Sequence, residues 1–384
     1  MDLTERIERR FGRRTDDRLV VDWDALNPAV HLPEPVDRDY VLDTILDAVE
    51  PISDGRLPRE VAVHGPTGSG KSAVVTAVAT ALDEFLTKSQ QTIFTTTRAQ
   101  SGVPDIASSY VDTRRNPSEF KLYHHLLDDL RDESVPSRGI GTDDLEAGIR
   151  SEIGTREGLI LFADHVDEPG TPTRPELDAM LDPFDSVCVV SISQTVPGDT
   201  DEPGRLIEVP PYRYDLIDVL MRRGSRGFSE RFDPSVAKDV AEWADGNAHD
   251  ALAALFGAAV IADDQDARQL TPEAIEAGKA AVPDDCVSIG RVLTLSENKQ
   301  EVLRTLLSVG LTADRSIEEL SELVADRTTL SRGTVRRYIY ELAQAGVLER
   351  VESTDRPDGS GRRPSSVHPR FPTLVYDHLQ QDHS

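Results

Sequence analysis

The pattern of apolar residues along this chain changes near residue 210. Before that point, short apolar runs that are typical of buried strands alternate with helical patterns. Strands that alternate with helices predict an α/β fold, with a mainly parallel sheet and helices on both faces. The predicted strands are VAVH, TIFTTT, SSYVDT, LILFAD and VCVVSIS.

After residue 210 the strand signals stop and helical spacing of apolar residues takes over. This spacing predicts a small all-helical domain. Its predicted helices are YDLIDVLMRR, SVAKDVAEWA and HDALAALFGAAVIA.

A third pattern begins near residue 286. It predicts three more helices, NKQEVLRTLLSVG, SIEELSELVADR and LSRGTVRRYIYELAQAG. Ser316 and Ser331 stand where N-caps are expected, and Gly310 and Gly346 where helices end. VLERVES and PSSVHP then form a hairpin around the basic tip RPDGSGRR. Three helices and a basic hairpin predict a winged helix-turn-helix.

Charge changes this picture only locally. The chain has 384 residues, enough for two or three domains of roughly 150 residues, and a net charge of −27. Only six basic residues are lysine, and such an acidic, lysine-poor composition suggests halophilic adaptation to concentrated salt, which screens charge repulsion. The net charge therefore does not exclude nucleic acid as a partner. Residues 327–370, with nine arginines against five acidic residues, are the basic part.

The sequence carries no signal for export or for the membrane. Its charged start, MDLTERIERRFGRRTDDR, lacks the apolar run of a secretory signal, and no stretch approaches the roughly 20 apolar residues of a spanning helix. Cys188 and Cys286 are too few for a disulfide framework. We therefore expect a cytoplasmic protein with no membrane partner.

A glycine-rich motif follows the predicted strand VAVH and precedes a predicted helix. It matches G-x-x-x-x-G-K-[ST], the phosphate-binding P-loop. Its backbone N–H groups face the phosphates of ATP or ADP, Lys71 reaches the β and γ phosphates, and Ser72 binds Mg²⁺. The motif consists of Gly65, Pro66, Thr67, Gly68, Ser69, Gly70, Lys71 and Ser72.

The predicted strand LILFAD ends in an acid suited to the metal side of such a site. Asp164 is the first candidate for the Mg²⁺-side carboxylate, and Asp167 is the alternative. The next position usually holds a glutamate that polarises the attacking water, but here it is His165. We expect slow hydrolysis unless Glu168 reaches the water.

The third predicted helix of the C-terminal pattern carries the candidate DNA contacts. In a helix-turn-helix such a helix enters the major groove, while basic side chains bind phosphates. A winged helix that binds protein is the alternative, since a fold does not determine its ligand. The candidates are Arg332, Thr334, Arg336 and Arg337 on the helix, and Arg362 and Arg363 in the wing.

Together these elements resemble the archaeal origin-recognition and cell-division-control (Orc/Cdc) type initiators among the AAA+ ATPases. The resemblance runs from about Pro33 to Pro369. It rests on the P-loop, on HLPEPVDRDYVLDTIL before it, and on PPY and LMRRGSRGF after the core. It implies nucleotide-binding roles for Arg38 beside the adenine pocket, for Tyr212 and for Arg223.

The chain departs from the family pattern at three positions. The Asp-Glu strand end of the family is Asp164-His165 here, and its sensor asparagine is Gln194. The lid arginine of the family, which contacts the γ-phosphate, is His249. These changes predict a divergent member that binds ATP and hydrolyses it poorly.

The resemblance implies four parts and one principal function. We expect an arm over 1–20, an AAA+ core over 21–209, a helical lid over 210–285 and a winged helix over 286–384. The expected function is ATP-dependent binding of double-stranded origin DNA, with the replicative helicase or other initiator copies as further partners. An ATP-sensing transcriptional or signalling regulator is the alternative. A nucleotide kinase is disfavoured because it leaves the winged helix unexplained.

Overall fold

The structure is a computed structural model and describes most of the chain. The described residues of His31–Pro211 form one compact unit, here the core unit, and those of Met1–Val30 with Tyr212–Ser384 form a second, the helical unit. Within the described ranges, no helix combines the length and apolar character that membrane crossing requires. The structure describes residues 18–95, 105–131, 133–196, 204–311, 315–352 and 365–381.

The first described segment belongs to the helical unit. It contains the short helix α1 (Trp23–Leu26). The backbone N–H groups of Val21 and Asp22 donate to the carbonyl oxygen of Gly227, at 2.8 and 3.2 Å. Leu26 packs so closely on Gly227 that an added Cβ would lie 2.5 Å from its side chain. These backbone and apolar contacts tie residues 18–30 to the helical unit, whereas the core expected from the sequence begins at residue 21.

Five strands form the sheet of the core unit, namely β1 (Val61–His64), β2 (Ile106–Asp112), β3 (Gly158–Val166), β4 (Val187–Ser193) and β5 (Arg205–Glu208). They pair in the order β2-β3-β4-β1-β5, and every pair is parallel. Side chains of β3 and β4 are buried on both faces, which explains their continuous apolar runs. All carboxyl ends meet at one edge of the sheet, and this edge carries the P-loop and the strand-end acids. The expected α/β core is confirmed.

Helices cover both faces of this sheet. One apolar cluster includes Ile45 and Val74 with β1, and the other includes Leu126 and Ile149 with β3. The helices of the core unit are α2 (Asp39–Val49), a 3-10 turn (Glu50–Asp54), α3 (Lys71–Thr95), α4 (Glu119–Leu130), α5 (Thr142–Gly154) and α6 (Arg174–Leu181).

The remaining helices lie in the helical unit. The predicted caps are confirmed: the Ser316 and Ser331 hydroxyls accept from the backbone N–H groups of Glu319 and Thr334. Gly310 and Gly346, with φ of 82° and 72°, follow helix ends as expected. The helices are α7 (Leu216–Gly227), α8 (Pro234–Ala244), α9 (Ala248–Asp264), α10 (Pro272–Ala280), α11 (Ile289–Leu293), α12 (Glu297–Val309), α13 (Ile317–Ala325), α14 (Arg332–Gln344) and α15 (Thr373–Gln381).

A two-stranded hairpin follows α14. Strands β6 (Leu348–Glu352) and β7 (Ser365–Pro369) pair antiparallel, in the register Leu348 to Pro369. The expected wing residues Arg362 and Arg363 fall in the connection 353–364, which lies outside the described residues. The described part is thus three helices, α12 to α14, followed by a hairpin.

One predicted strand is wrong and one strand was missed. The first four residues of TIFTTT, 92–95, form the last turn of α3, and the others lie outside the described residues. A helix that has already formed gains one hydrogen bond per added residue, and this outweighs a modest β-propensity. The missed strand, β5, is a four-residue edge strand with only Ile207 buried, too short to show a period.

Candidate functional sites

The P-loop joins β1 to α3 and passes very close to neighbouring backbone. Gly65 has φ of 156°, and a Cβ there would lie 2.2 Å from the carbonyl oxygen of Val209. Gly68 and Gly70 have φ of 72° and 87°, in the left-handed region that glycine adopts without strain. The glycines of the motif are therefore required by the path of the loop itself.

Lys71 closes this loop. Its side chain is buried, and Nζ donates to the carbonyl oxygens of Gly65 and Pro66 at 2.6 and 2.7 Å. Burial lowers the pKa of Lys71 to about 8, although the charges of Asp164 and Glu168 oppose this shift. At neutral pH the ammonium group therefore stays charged within the loop.

Arg38 is hydrogen-bonded to the backbone of the P-loop. Arg38 is 5% exposed, and its guanidinium donates to the carbonyl oxygen of Ser69 at 3.0 and 3.2 Å and to that of Pro210 at 3.1 Å. The Ser69 hydroxyl is buried with no hydrogen-bond partner among the described residues. The structure thus shows Arg38 bonded to the loop backbone, and it leaves one buried polar atom of the loop available to a ligand.

Asp164 lies at the carboxyl end of β3, facing Ser72. It is 1% exposed and accepts hydrogen bonds from the Tyr110 hydroxyl, at 2.8 Å, and from the Ser72 hydroxyl. Burial raises the pKa of Asp164, but His165 and these hydrogen bonds outweigh it and keep the pKa below its usual range. A carboxylate beside a hydroxyl is the oxygen donor set that Mg²⁺ prefers, so the site fits this ion.

Asp167, the alternative acid, has a different environment. Its side chain accepts from the backbone N–H of Arg174, the first residue of α6, at 3.2 Å, and the residue is exposed. Of the two acids, only Asp164 has the Ser72 hydroxyl as a neighbour. The geometry therefore favours Asp164 on the metal side.

Glu168 is held by a partner, Arg114, that the sequence analysis did not identify. Arg114, just after β2, donates to the two carboxylate oxygens at 2.7 and 2.9 Å. His165 Nδ1 lies 3.2 Å and Gln194 Nε2 3.4 Å from the same carboxylate. Two other expected site residues, His165 and Gln194, thus meet Arg114 at the carboxylate of Glu168.

This ion pair is buried on both sides. The side chains of Arg114 and Glu168 are 8% and 6% exposed. Burial raises the pKa of Glu168, but the His165 hydrogen bond and the charge and hydrogen bonds of Arg114 hold it well below its usual range. Glu168 is therefore a fully partnered carboxylate and a weak proton acceptor.

The backbone is bent at the carboxyl end of β3 and just after it. His165 and Asp167 have φ of 65° and 64°, which is uncommon for residues other than glycine. The ladder between β3 and β4 shifts register between Ala163 and Val166. The Thr171 hydroxyl fixes the bend by donating to the His165 carbonyl oxygen at 2.8 Å. The bend brings the His165 ring within 3.2 Å of Glu168.

His249, expected at the phosphates, is engaged within the helical unit. Its Nδ1 lies 2.9 Å from Asp250 Oδ1, and its Nε2 accepts from the backbone N–H of Ile289 at 3.0 Å. The second bond requires an unprotonated Nε2, so Nδ1–H donates to Asp250. Both ring nitrogens are used, and this arrangement disfavours the catalytic role expected for His249.

Arg223 and Tyr212 are also buried in the helical unit. Arg223 donates to the carbonyl oxygens of Asn27 and Val30, at 2.5 and 2.8 Å, and is 3% exposed. Burial lowers its pKa to about 10. The backbone N–H of Tyr212 donates to Gly246. These hydrogen bonds of both residues lie within the helical unit, and the nucleotide-binding roles expected for them stay predictions.

The candidate DNA contacts on α14 lie on its outer face, and its arginines are paired with glutamates. Arg332 and Arg336 both donate to Glu318 of α13 at 2.8 Å, and Arg332 also pairs with Glu322. Arg337 lies 3.6 Å from Glu341 on its own helix. The Thr334 hydroxyl is hydrogen-bonded to the Ser331 cap.

Similarity to known proteins agrees with this architecture. The sequence model of the AAA ATPase domain family matches residues 34–190. ORC1-type DNA replication protein 8 of Halobacterium salinarum is 24% identical over 366 residues, 86% of this chain and 87% of that protein. The ORC1-type DNA replication protein of Methanoregula boonei is 24% identical over 361 residues, 83% of this chain and 80% of that protein.

Solved structures show the same fold. The Aeropyrum pernix ORC1 protein in complex with DNA superposes with a TM-score of 0.61 at 20% identity, covering 95% of this chain and 97% of that one. The ORC2 protein of the same organism, as ADPNP-ADP complexes, gives a TM-score of 0.54 at 14% identity, covering 95% and 99%.

Proposed function

Because this chain belongs to the archaeal Orc/Cdc-type family of AAA+ proteins, we propose that it is a replication initiator that binds origin DNA and uses ATP as a conformational switch. The main support is the P-loop site, where Lys71, Ser72 and Asp164 lie together at the carboxyl edge of the sheet, with Lys71 and Asp164 buried. The DNA-bound form would offer a platform to the replicative helicase or to further initiator copies.

The nucleotide part of the proposal is supported by the donors at this edge. Ser72 and Asp164 would hold Mg²⁺, and Lys71 with the N-terminus of α3 would bind the phosphates. When bound, Mg²⁺ offsets the charge of the β and γ phosphates. Structures of the Aeropyrum pernix ORC2 protein as ADPNP-ADP complexes support the same ligand class.

Lys71→Ala tests this assignment with a fluorescent ATP analogue. We expect the variant to lose binding, because the buried cation of the loop is gone. Lys88→Ala is the matched control, since Lys88 lies on the same helix, is 74% exposed and pairs with Glu84. Equal affinity of Lys71→Ala and Lys88→Ala would refute the site.

Slow hydrolysis is proposed from the state of the candidate bases. A general base must accept a proton, and Glu168 already accepts two bonds from Arg114. The imidazole ring of His165 lies 3.2 Å from the same glutamate. Single-turnover ATP hydrolysis measured in high salt should be slower than about 1 s⁻¹, the lower edge of ordinary enzyme turnover. A faster rate would contradict the proposal.

The DNA part rests on α12 to α14 and the following hairpin, which we propose to be a winged helix. The Aeropyrum pernix ORC1 protein has been solved in complex with DNA, which supports DNA as the partner. Helix α14 would present Arg332, Arg336 and Arg337 to the major groove, with Arg362 and Arg363 in the wing on phosphates. Arg336→Ala should therefore relax sequence preference, and Arg362→Ala should weaken all sequences alike.

Mapping the bound chromosomal sites in cells tests the role of DNA binding. Sites clustered at origin-like repeats are the expected result. Sites distributed over promoters would instead identify an ATP-sensing transcriptional regulator, and no bound sites at all would refute both.

A further inference from the structure

Glu318 joins two arginines of α14 with one carboxylate. Its Oε2 lies 2.8 Å from Nη2 of Arg332, and its Oε1 lies 2.8 Å from Nη1 of Arg336. The two arginines are four residues apart and therefore project from one face of the helix. Each carboxylate oxygen holds a different guanidinium, so the bridge fixes the spacing between two charged groups.

This bridge does little for folding. The side chains of Glu318, Arg332 and Arg336 are 49%, 50% and 51% exposed. Exposed ion pairs contribute only about 0–1 kcal/mol, and long side chains lose rotamer freedom when they are held. A stabilising role therefore does not account for the placement of Glu318.

The bridge also opposes general attraction to DNA. Each of the three α14 arginines is paired with a glutamate. Arg332 pairs with Glu318 and Glu322, Arg336 with Glu318, and Arg337 with Glu341. Affinity for any duplex comes mainly from arginine and lysine on phosphates, so each nearby carboxylate reduces it. Reading a guanine, in contrast, needs a guanidinium held in one plane for two hydrogen bonds.

We propose that Glu318 is a positioning residue for sequence recognition, an inference that rests on the proposed DNA binding by α14. It holds the guanidinium groups of Arg332 and Arg336 in one relative orientation, suited to base edges. At the same time its charge weakens their binding to phosphates. Glu318 thus lowers affinity for DNA in general and raises discrimination between sequences.

Two variants separate position from charge. Glu318→Asp keeps the charge, but the shorter side chain cannot span both arginines. Glu322→Gln removes one charge beside Arg332 and leaves the Glu318 bridge intact. Both positions are about half exposed, so the variants should fold, and matching thermal transitions by circular dichroism would establish this.

The experiment uses the full chain. A preferred duplex is first selected from a random pool, and affinities for it and for a scrambled duplex are then measured over a salt series. For Glu318→Asp we expect the ratio of the two affinities to fall on the order of tenfold, the scale of one bidentate base contact, with an unchanged salt slope. For Glu322→Gln we expect tighter binding to both duplexes, a salt slope steeper by about one unit and an unchanged ratio.

Failure of the positioning role and failure of the proposed DNA binding give different results. A Glu318→Asp protein that keeps the wild-type ratio would overturn the positioning role while leaving DNA binding intact. A Glu322→Gln protein that loses discrimination equally would show that charge alone acts, and would also overturn it. A wild-type chain that binds no duplex at any salt concentration would refute the proposed function and the inference with it.

Discussion

Replacing Arg114 by methionine should destabilise the core unit by about 3–5 kcal/mol, because it leaves a buried carboxylate without its charged partner. The side chains of Arg114 and Glu168 are 8% and 6% exposed, and their two hydrogen bonds measure 2.7 and 2.9 Å. An exposed ion pair would contribute no more than about 1 kcal/mol. Burial is therefore what makes the expected loss large.

The loss should also depend on pH. Burial raises the pKa of Glu168, but His165 and Arg114 together hold it well below the usual 4.5. A lowered pKa in the folded state adds stability above about pH 4.5, and this stability is lost as the pH falls toward the folded-state value. Without Arg114 this contribution shrinks. The gap between wild type and variant should therefore be widest at neutral pH and narrow below pH 4.5.

Urea denaturation measures the loss, with hydrogen exchange of β3 peptides reporting on the core unit separately. The double variant Arg114→Met with Glu168→Gln removes both charges and is the matched control. It should recover much of the stability, because no unpaired charge then stays buried. A loss under about 1 kcal/mol at pH 7, or a double variant no more stable than Arg114→Met alone, would refute the reasoning.

Four further outcomes follow from the geometry. Gly65→Ala should abolish ATP-analogue binding and lower the thermal midpoint, since its Cβ would lie 2.2 Å from a carbonyl oxygen, and overpacking of this kind costs about 1–3 kcal/mol. Ser316→Ala should cost about 1 kcal/mol in urea denaturation through loss of the α13 cap. ATP-analogue affinity should fall as the pH rises through about 8, because Lys71 loses its proton there. Iodoacetamide at pH 8 should spare Cys188 in the native chain and modify it in urea, because burial raises its pKa to about 12.

Features that depend on local sequence patterns could be predicted from the sequence. The strand-loop-helix setting of Lys71, the strand end at Asp164 and the caps Ser316 and Ser331 all follow from short-range rules, and the structure has each of them. The parallel core follows from the alternation of strands and helices.

The sequence analysis missed features that depend on contacts between residues far apart in the chain. Arg114 and Glu168 are 54 residues apart and meet only because β2 and β3 are adjacent in the sheet. A usable signal was present, since SSYVDTRR places basic residues just after a strand beside the strand-end acids. The orientation of His249 depends on Ile289, 40 residues later, and no local pattern encodes it.

The path of the chain between the units has a practical consequence for dissecting the protein. The chain leaves the helical unit after residue 30 and re-enters it at residue 212, so the core unit is an insertion within a discontinuous partner. A fragment that starts at residue 212 would lack the carbonyl groups of Asn27 and Val30, which accept from Arg223. The Arg223 guanidinium would lose these hydrogen bonds, and a buried charge without them is costly. Removing the core unit cleanly therefore calls for a spliced polypeptide, in which a glycine-serine tether links residue 30 to residue 212.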